Sequence, residues 1–217
     1  MTVKVPKDLA ANTMRVMYRS AKCPISRSDG DGNRYEIKGA HAIEIEPQRL
    51  GKSDLYEARL VRDGGGTCQW KLSNVTFGVH YENSAQFGEG VKYGWGGEVI
   101  IAFDKNLPQQ KNMYGLKEVD GDLSIRPDYY PWMIETFIGG HEKTIVLLGR
   151  QDFLSYRALT AEKVFFEPLL HSEMVVRTIG VKNIGKGEKA ENIYPDGTRE
   201  FSSSDPNIER LSEMVAK

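Results

Sequence analysis

Apolar and polar residues alternate along much of this chain with a period of two, the repeat of a strand that buries one face. The clearest case is residues 55–81, where Tyr56, Ala58 and Leu60 alternate with Glu57 and Arg59, and Cys68, Trp70 and Leu72 alternate with Gln69, Lys71 and Ser73. Between the two arms, Asp63 leads into Gly64-Gly65-Gly66, which supplies the positive φ angles of a tight reversal, so the stretch predicts a β-hairpin. After Ser73-Asn74 the apolar set moves to Val75, Phe77, Val79 and Tyr81. A one-residue slip would turn that whole set to solvent, so a bulge or bend is expected near Asn74.

Around this hairpin the pattern predicts further short strands. Met14, Val16 and Tyr18 form a first strand after a short helical turn over residues 6–12, and Ile43 with Ile45 form another that Pro47 ends. Residues 26–34 read as a polar loop, and residues 83–97, with glycines set among Phe87, Tyr93 and Trp95, read as a long surface loop or hairpin rim. Val99 to Phe103 is a continuous apolar run, the mark of a strand covered on both faces. Strands are then expected at residues 123–125, 132–138, 144–148, 153–159, 164–166 and 174–179, a spacing typical of a sandwich or open barrel. Residues 180–201 are polar and expected to be exposed. The chain closes on one helix, capped by Ser204 or Asp205 with Pro206 in its first turn, whose stripe of Ile208, Leu211, Met214 and Val215 predicts docking on a sheet.

The fold class that follows is mainly β: an antiparallel sandwich of short strands with a C-terminal helix. Its 217 residues suffice for a single domain, 1–217, and the polar stretch from Lys105 offers the alternative split into 1–107 and 108–217. Charge is balanced at 29 basic and 30 acidic residues with no basic block, which argues against a nucleic-acid partner. No apolar run is long enough for a transmembrane segment.

Two cysteines change the picture. Cys68 lies on the apolar parity of its strand, and Cys23 stands in a polar stretch before Pro24, which suits a cross-link better than a core thiol. A Cys23–Cys68 disulfide is expected, and with it a periplasmic or secreted location. The opening Met-Thr-Val-Lys-Val-Pro carries no charged-then-apolar leader, so the expectation is a mature exported chain with a replacement Met1.

Candidate chemistry is sparse. Gly180 to Lys186 matches seven positions of a phosphate-binding loop, but Gly187 stands where Ser or Thr must hold magnesium and no apolar helix follows. Asp29, Asp31 and Asn33 sit at the first, third and fifth positions of a calcium loop, whose sixth and twelfth positions are here Arg34 and Ala40, so a solvated turn is expected. His41, His80, His141 and His171 have no metal-ligand spacing, and neither a nucleophile elbow nor a Ser-x-x-Lys motif occurs. No catalytic residue, metal ligand or cofactor is assigned, and the reading leans away from an enzyme. The aromatics Tyr93, Trp95, Tyr114, Tyr129, Tyr130 and Trp132 concentrate in Gly-, Pro- and Asp-rich segments where loops are expected, and rigid aromatics on loops suit recognition. The expected function is an exported binding protein with a protein partner, in concrete form an inhibitor or immunity-type neutraliser of a secreted enzyme or toxin. The alternatives are a glycan-binding module stacking sugars on Tyr93, Trp95 and Trp132, and a hydrolase built on a carboxylate pair or a histidine.

Overall fold

A computed structural model describes residues 1–106, 115–183, 187–202 and 205–216. The first half holds β1 (Thr2–Lys4), β2 (Leu9–Ala11), β3 (Met14–Ser28), β4 (Arg34–Ile45), β5 (Gln48–Arg49), β6 (Leu55–Glu57), β7 (Asp63–Gly65), β8 (Trp70–Tyr81), β9 (Val91–Gly96) and β10 (Glu98–Ala102). Then come β11 (Lys117–Glu118), β12 (Leu123–Ile125), β13 (Asp128–Thr136), β14 (Glu142–Leu148) and β15 (Phe153–Arg157). The last strands are β16 (Val164–Phe166), β17 (Leu169–Leu170), β18 (Val176–Ile179), β19 (Ala190–Ile193) and β20 (Arg199–Ser202), before the helix α1 (Ile208–Val215).

These strands build a β-dominated sandwich. One sheet runs β11-β15-β10-β8-β3-β4, a second β20-β19-β18-β13-β14-β9, and a smaller third β12-β16-β1-β6-β5. Pairing is antiparallel through β10, β8, β3 and β4 and between β13 and β14, whereas β15, β9 and β18 join their sheets in parallel. Alternation along the strands sorts the core as the sequence implies. Val16, Val75, Phe77, Val99 and Ile101 meet Tyr129, Met133, Ile145 and Leu147 in one cluster, to which the small sheet adds Val3, Leu123, Ile125, Val164 and Phe166. The opposite parity of the second sheet, Tyr130, Trp132, Val146, Leu148 and Val176, is covered by Leu211, with Ile208 and Met214 packed around it. The stripe on α1 therefore docks on a sheet, and Val215 is left 40% exposed at its end. No helix among the described residues is long and apolar enough to cross a membrane.

Several local expectations need correction. The arms of the expected hairpin do not pair with each other: β6 pairs with β1 and β5, and only the short β7 pairs with β8. The reversal lies at Gly66–Gln69, and the alternation of Tyr56 to Leu60 reports burial against a different sheet. The bulge is present, because the β3–β8 register runs from Met17–Asn74 to Tyr18–Leu72 and leaves Ser73 unmatched. The largest hairpin is β3–β4, and the polar loop expected over residues 26–34 shrinks to the turn at 29–33, with Ser26–Ser28 and Arg34 in the flanking strands. Both faces of that stretch are solvated, so its sequence carries no alternation that would distinguish strand from loop. Residues 9–11 are a strand beside β8 rather than part of a helical turn. Within the expected polar tail, β19 and β20 pair, Asn192 and Tyr194 are buried, and Thr178 links Trp132 to Asn192 through two hydrogen bonds of 2.6 Å. The helix begins two residues after Pro206, at Ile208, with Asn207 as cap accepting from the Arg210 amide; Ser204 lies outside the described residues.

The expected loop at residues 83–97 is a short 3-10 turn followed by β9, which then crosses between the two large sheets. That crossing explains its glycines. A Cβ on Gly97 would sit 2.4 Å from the Val79 carbonyl oxygen, and one on Gly78 would sit 2.1 Å from the Gly97 oxygen, so only bare backbone passes there.

Candidate functional site

The expected disulfide is present, joining Cys23 to Cys68 with a Cα–Cα distance of 5.4 Å. Its surroundings fix one end of the β3–β4 ribbon. Between the pairs Ser20–Gly39 and Ile25–Ile37 the β3 strand carries extra residues, and this bulge contains Cys23. The Ser20 hydroxyl accepts from the Lys22 and Cys23 amides at 3.0 and 3.1 Å and donates to the Cys68 carbonyl, so hydroxyl and disulfide tie the bulge to the turn before β8. Opposite the bulge, a Cβ on Gly39 would lie 2.0 Å from the Cys23 carbonyl oxygen. Beyond it the ribbon runs into solvent and is closed by Asp29. One Asp29 carboxylate oxygen accepts from the Asp31 and Asn33 amides and the other from the Asn33 side chain, so the calcium-like spacing forms a turn. These bonds, the Asn33 side chain first, hold the Asp29 carboxyl below its ordinary value.

A concavity of about 620 Å³ lies on the sheet face opposite the main core. Apart from Phe77 of the core, its side chains come from positions that face away from the core: Arg15, Met17 and Arg19 on β3, Asn74 and Thr76 on β8, Glu44 on β4 and Glu98 on β10, with Asn12, Thr13, His80 and Tyr93 beside them. Register explains the shape. Thr76, Arg15 and Glu44 face one another across three strands, and Glu98 lies opposite Gly78. Arg15, Arg19, Glu44 and Glu98 make no ion pair among the described residues, although Arg15 and Glu44 are cross-strand neighbours. The Arg19 Nε is buried without a hydrogen-bond partner among the described residues. His80 Nδ1 lies 2.6 Å from the Asn12 side-chain oxygen, and among the described residues no carboxylate bonds to the ring. Tyr93 donates to the Gly96 carbonyl at 2.7 Å, and burial pushes its phenol above the ordinary value of 10.0. This trough offers charges of both signs.

The other histidines are placed by packing. His171 sits 2.8 Å from an Asp128 carboxylate oxygen and stacks on Tyr130, and His141 sits 2.6 Å from Glu135 and stacks on Phe137. No hydroxyl or thiol bonds to either ring among the described residues, and no three His, Cys, Asp or Glu side chains converge there as a metal centre would need.

The predicted aromatics are dispersed. Tyr129, Tyr130 and Trp132 lie in β13 and not on loops, at 2%, 3% and 7% exposure: Tyr129 is in the main core and the other two face α1. Trp95 is half exposed and packs edge-on against Trp132, and Tyr93 lies at the trough. Tyr114 lies outside the described residues. Among the described residues the structure therefore brings no pair of these rings onto one open surface. The Pro and Asp around residues 127–131 mark a strand entrance rather than a loop.

Sequence reasoning missed the apolar stripe of β4. Tyr35, Ile37, Gly39, His41, Ile43 and Ile45 occupy successive odd positions on one face, a period-two signal legible in the sequence. Tyr35 and Ile37 are 49% and 37% exposed, and Ile25 faces Ile37 across the ribbon. The same stripe continues into an apolar pocket of about 300 Å³ formed by Tyr18, His41, Ile43, Gly64 and Trp70. A comparison with protein families, curated proteins and solved structures finds no match to this chain.

Proposed function

We propose that the chain is a non-catalytic binding protein that recognises another protein through the trough on its eight-stranded sheet. The observation that carries this reading is a concave face holding Arg15, Arg19, Glu44 and Glu98 without ion pairs among themselves. Unspent charges of both signs fit a partner surface that presents its own acidic and basic groups, where complementarity sets specificity and association rate. They fit a glycan less well. Sugar recognition uses open aromatic faces, and here Trp132 is buried under the helix while Tyr93 is fixed by its bond to Gly96. The disulfide supports an exported, periplasmic or secreted setting, and an inhibitor or immunity-type neutraliser of a secreted enzyme or toxin is the concrete form of the proposal.

Affinity capture from envelope and secreted fractions tests it, with the wild-type chain and the Arg15→Glu, Arg19→Glu double variant side by side. A specific protein captured by the first and lost by the second is the expected result. Capture that survives the double substitution, or no specific protein with either, would sink the reading.

A further inference from the structure

We propose that the outer edge of β4 is the interface of a two-fold dimer of this chain, formed when β4 pairs antiparallel with β4 of a second copy about Gly39. The inference goes beyond the trough reading and stands without it. Among the described strands β4 pairs with β3 alone and ends its sheet, so along its 12 residues alternate backbone N–H and C=O groups face outward unpaired. Sheets guard such edges with shortness, proline, bulges or charged side chains, lysine above all; β4 is long, contains no proline and is apolar on its core side, and its charges, Arg34, Glu36, Lys38 and Glu44, all lie at the even positions of the opposite face.

The side chains choose the occupant and the register. A two-fold axis normal to the sheet keeps odd positions facing odd positions across the new pair of strands. Centred on Gly39, the pairing sets Arg34 opposite the partner's Glu44 twice over, with Glu36 and Lys38 opposite the partner's Ala42 and the partner's Ala40. Sliding by one pleat in one direction places Lys38 against the partner's Lys38, and in the other direction Glu36 against the partner's Glu44. Both neighbouring registers therefore oppose like charges, which destabilises a strand pair. The Gly39 register opposes none.

The same register settles the other face. Tyr35 lands opposite the partner's Ile43 and Ile37 opposite the partner's His41, so the exposed end of each ribbon reaches the residues that form the other copy's apolar pocket with Trp70. Knob and pocket lie on one strand, symmetric about Gly39, and self-complementarity of this kind closes a two-fold dimer and does not propagate a fibre. On the trough side, the partner's Arg34 arrives beside Glu44, so the second copy adds a cation to the rim of the trough.

Light scattering across a dilution series at low salt tests the proposal, with circular dichroism confirming that each variant is folded. The expected result is twice the chain mass for the wild type. Arg34→Glu and Glu44→Arg, made singly, each set two like-charge pairs in place of two unlike ones and weaken the dimer by about tenfold or more. The double exchange, Arg34→Glu with Glu44→Arg, restores it. A monomer at every concentration overturns the proposal, as does a dimer indifferent to the single changes or not recovered by the exchange. Neither failure touches the trough, whose capture test turns on Arg15 and Arg19.

Discussion

At the scale of single residues, Gly39 is the position where the backbone leaves least room. It is the one buried residue of β4, although strand neighbours on both sides are open to water, because the bulge of β3 folds the Cys23 carbonyl over it. Gly39→Ala must displace that carbonyl and with it the bulge, the Ser20 hydrogen bonds and the seat of the disulfide. Overpacking of this kind costs about 1 to 3 kcal/mol, read as a lower urea midpoint at unchanged slope. Gly30→Ala is the control: a Cβ there meets nothing within 4 Å, and surface changes of that sort stay within about 0.5 kcal/mol. Equal midpoints for the two variants would show that the bulge yields freely. Residue-scale chemistry was partly legible in the sequence. The cysteine pair was readable because a polar setting before Pro24 is a poor place for a core thiol. Tyr129 and Trp132 were not readable as core, because proline and aspartate beside them imitate a loop, and only β14 and β18 on either side of β13 show that the segment is a strand.

At the scale of elements, the small sheet shows how separate segments are held by one side chain. Glu167, just past β16, accepts from Lys4 on β1 at 2.7 Å and from Arg126, just past β12, at 2.8 Å. The hydrogen bond from Lys4, followed by the Lys4 and Arg126 charges, holds the Glu167 carboxyl below its ordinary value of 4.5. A carboxyl depressed on folding stabilises the fold fully above its unfolded value, and that contribution is lost as the pH falls through the folded value. The melting-temperature gap between wild type and Glu167→Gln should thus be steady from neutral pH down to about 5 and should shrink below 4.5. A gap that stays constant at low pH would mean that the carboxylate charge contributes nothing. Of these three short strands β12 and β16 were readable in the sequence, as were β10, β14 and β18, whereas β1 was not, because Val3 is its one apolar residue. The elements that were not readable are the outer ribbon of β3–β4, whose faces are both wet, and the β19–β20 pair, whose fully buried position, Asn192, is polar, since an apolar period-two alternation exists only where one face is buried by apolar side chains. The β4 stripe is the exception: its alternation is present, but Gly39 and His41 interrupt it in the middle.

At the scale of the whole molecule, the strands of the two halves interleave. The large sheet places β15 beside β10, the second sheet places β14 beside β9, and the small sheet runs from β12 and β16 to β1, β6 and β5. A split near residue 107 would cut every sheet, and the main cluster draws Val3, Phe77 and Ile101 together with Tyr129, Ile145 and Phe166. Unfolding is therefore expected as one transition, with far-ultraviolet dichroism and tryptophan fluorescence coinciding in urea. Reduction should move that transition without dividing it. The Cys23–Cys68 bond closes a separation of 45 residues, for which the chain-entropy account gives about 3 to 4 kcal/mol, and the bond lies at the base of a ribbon whose outer half has no core of its own to lose. Two resolved transitions, or a fragment 1–107 that melts cooperatively by itself, would overturn the single-unit reading. A reduced chain whose midpoint does not move would show that the bulge and turn are held by Ser20 and the ladder alone, with the disulfide redundant to both.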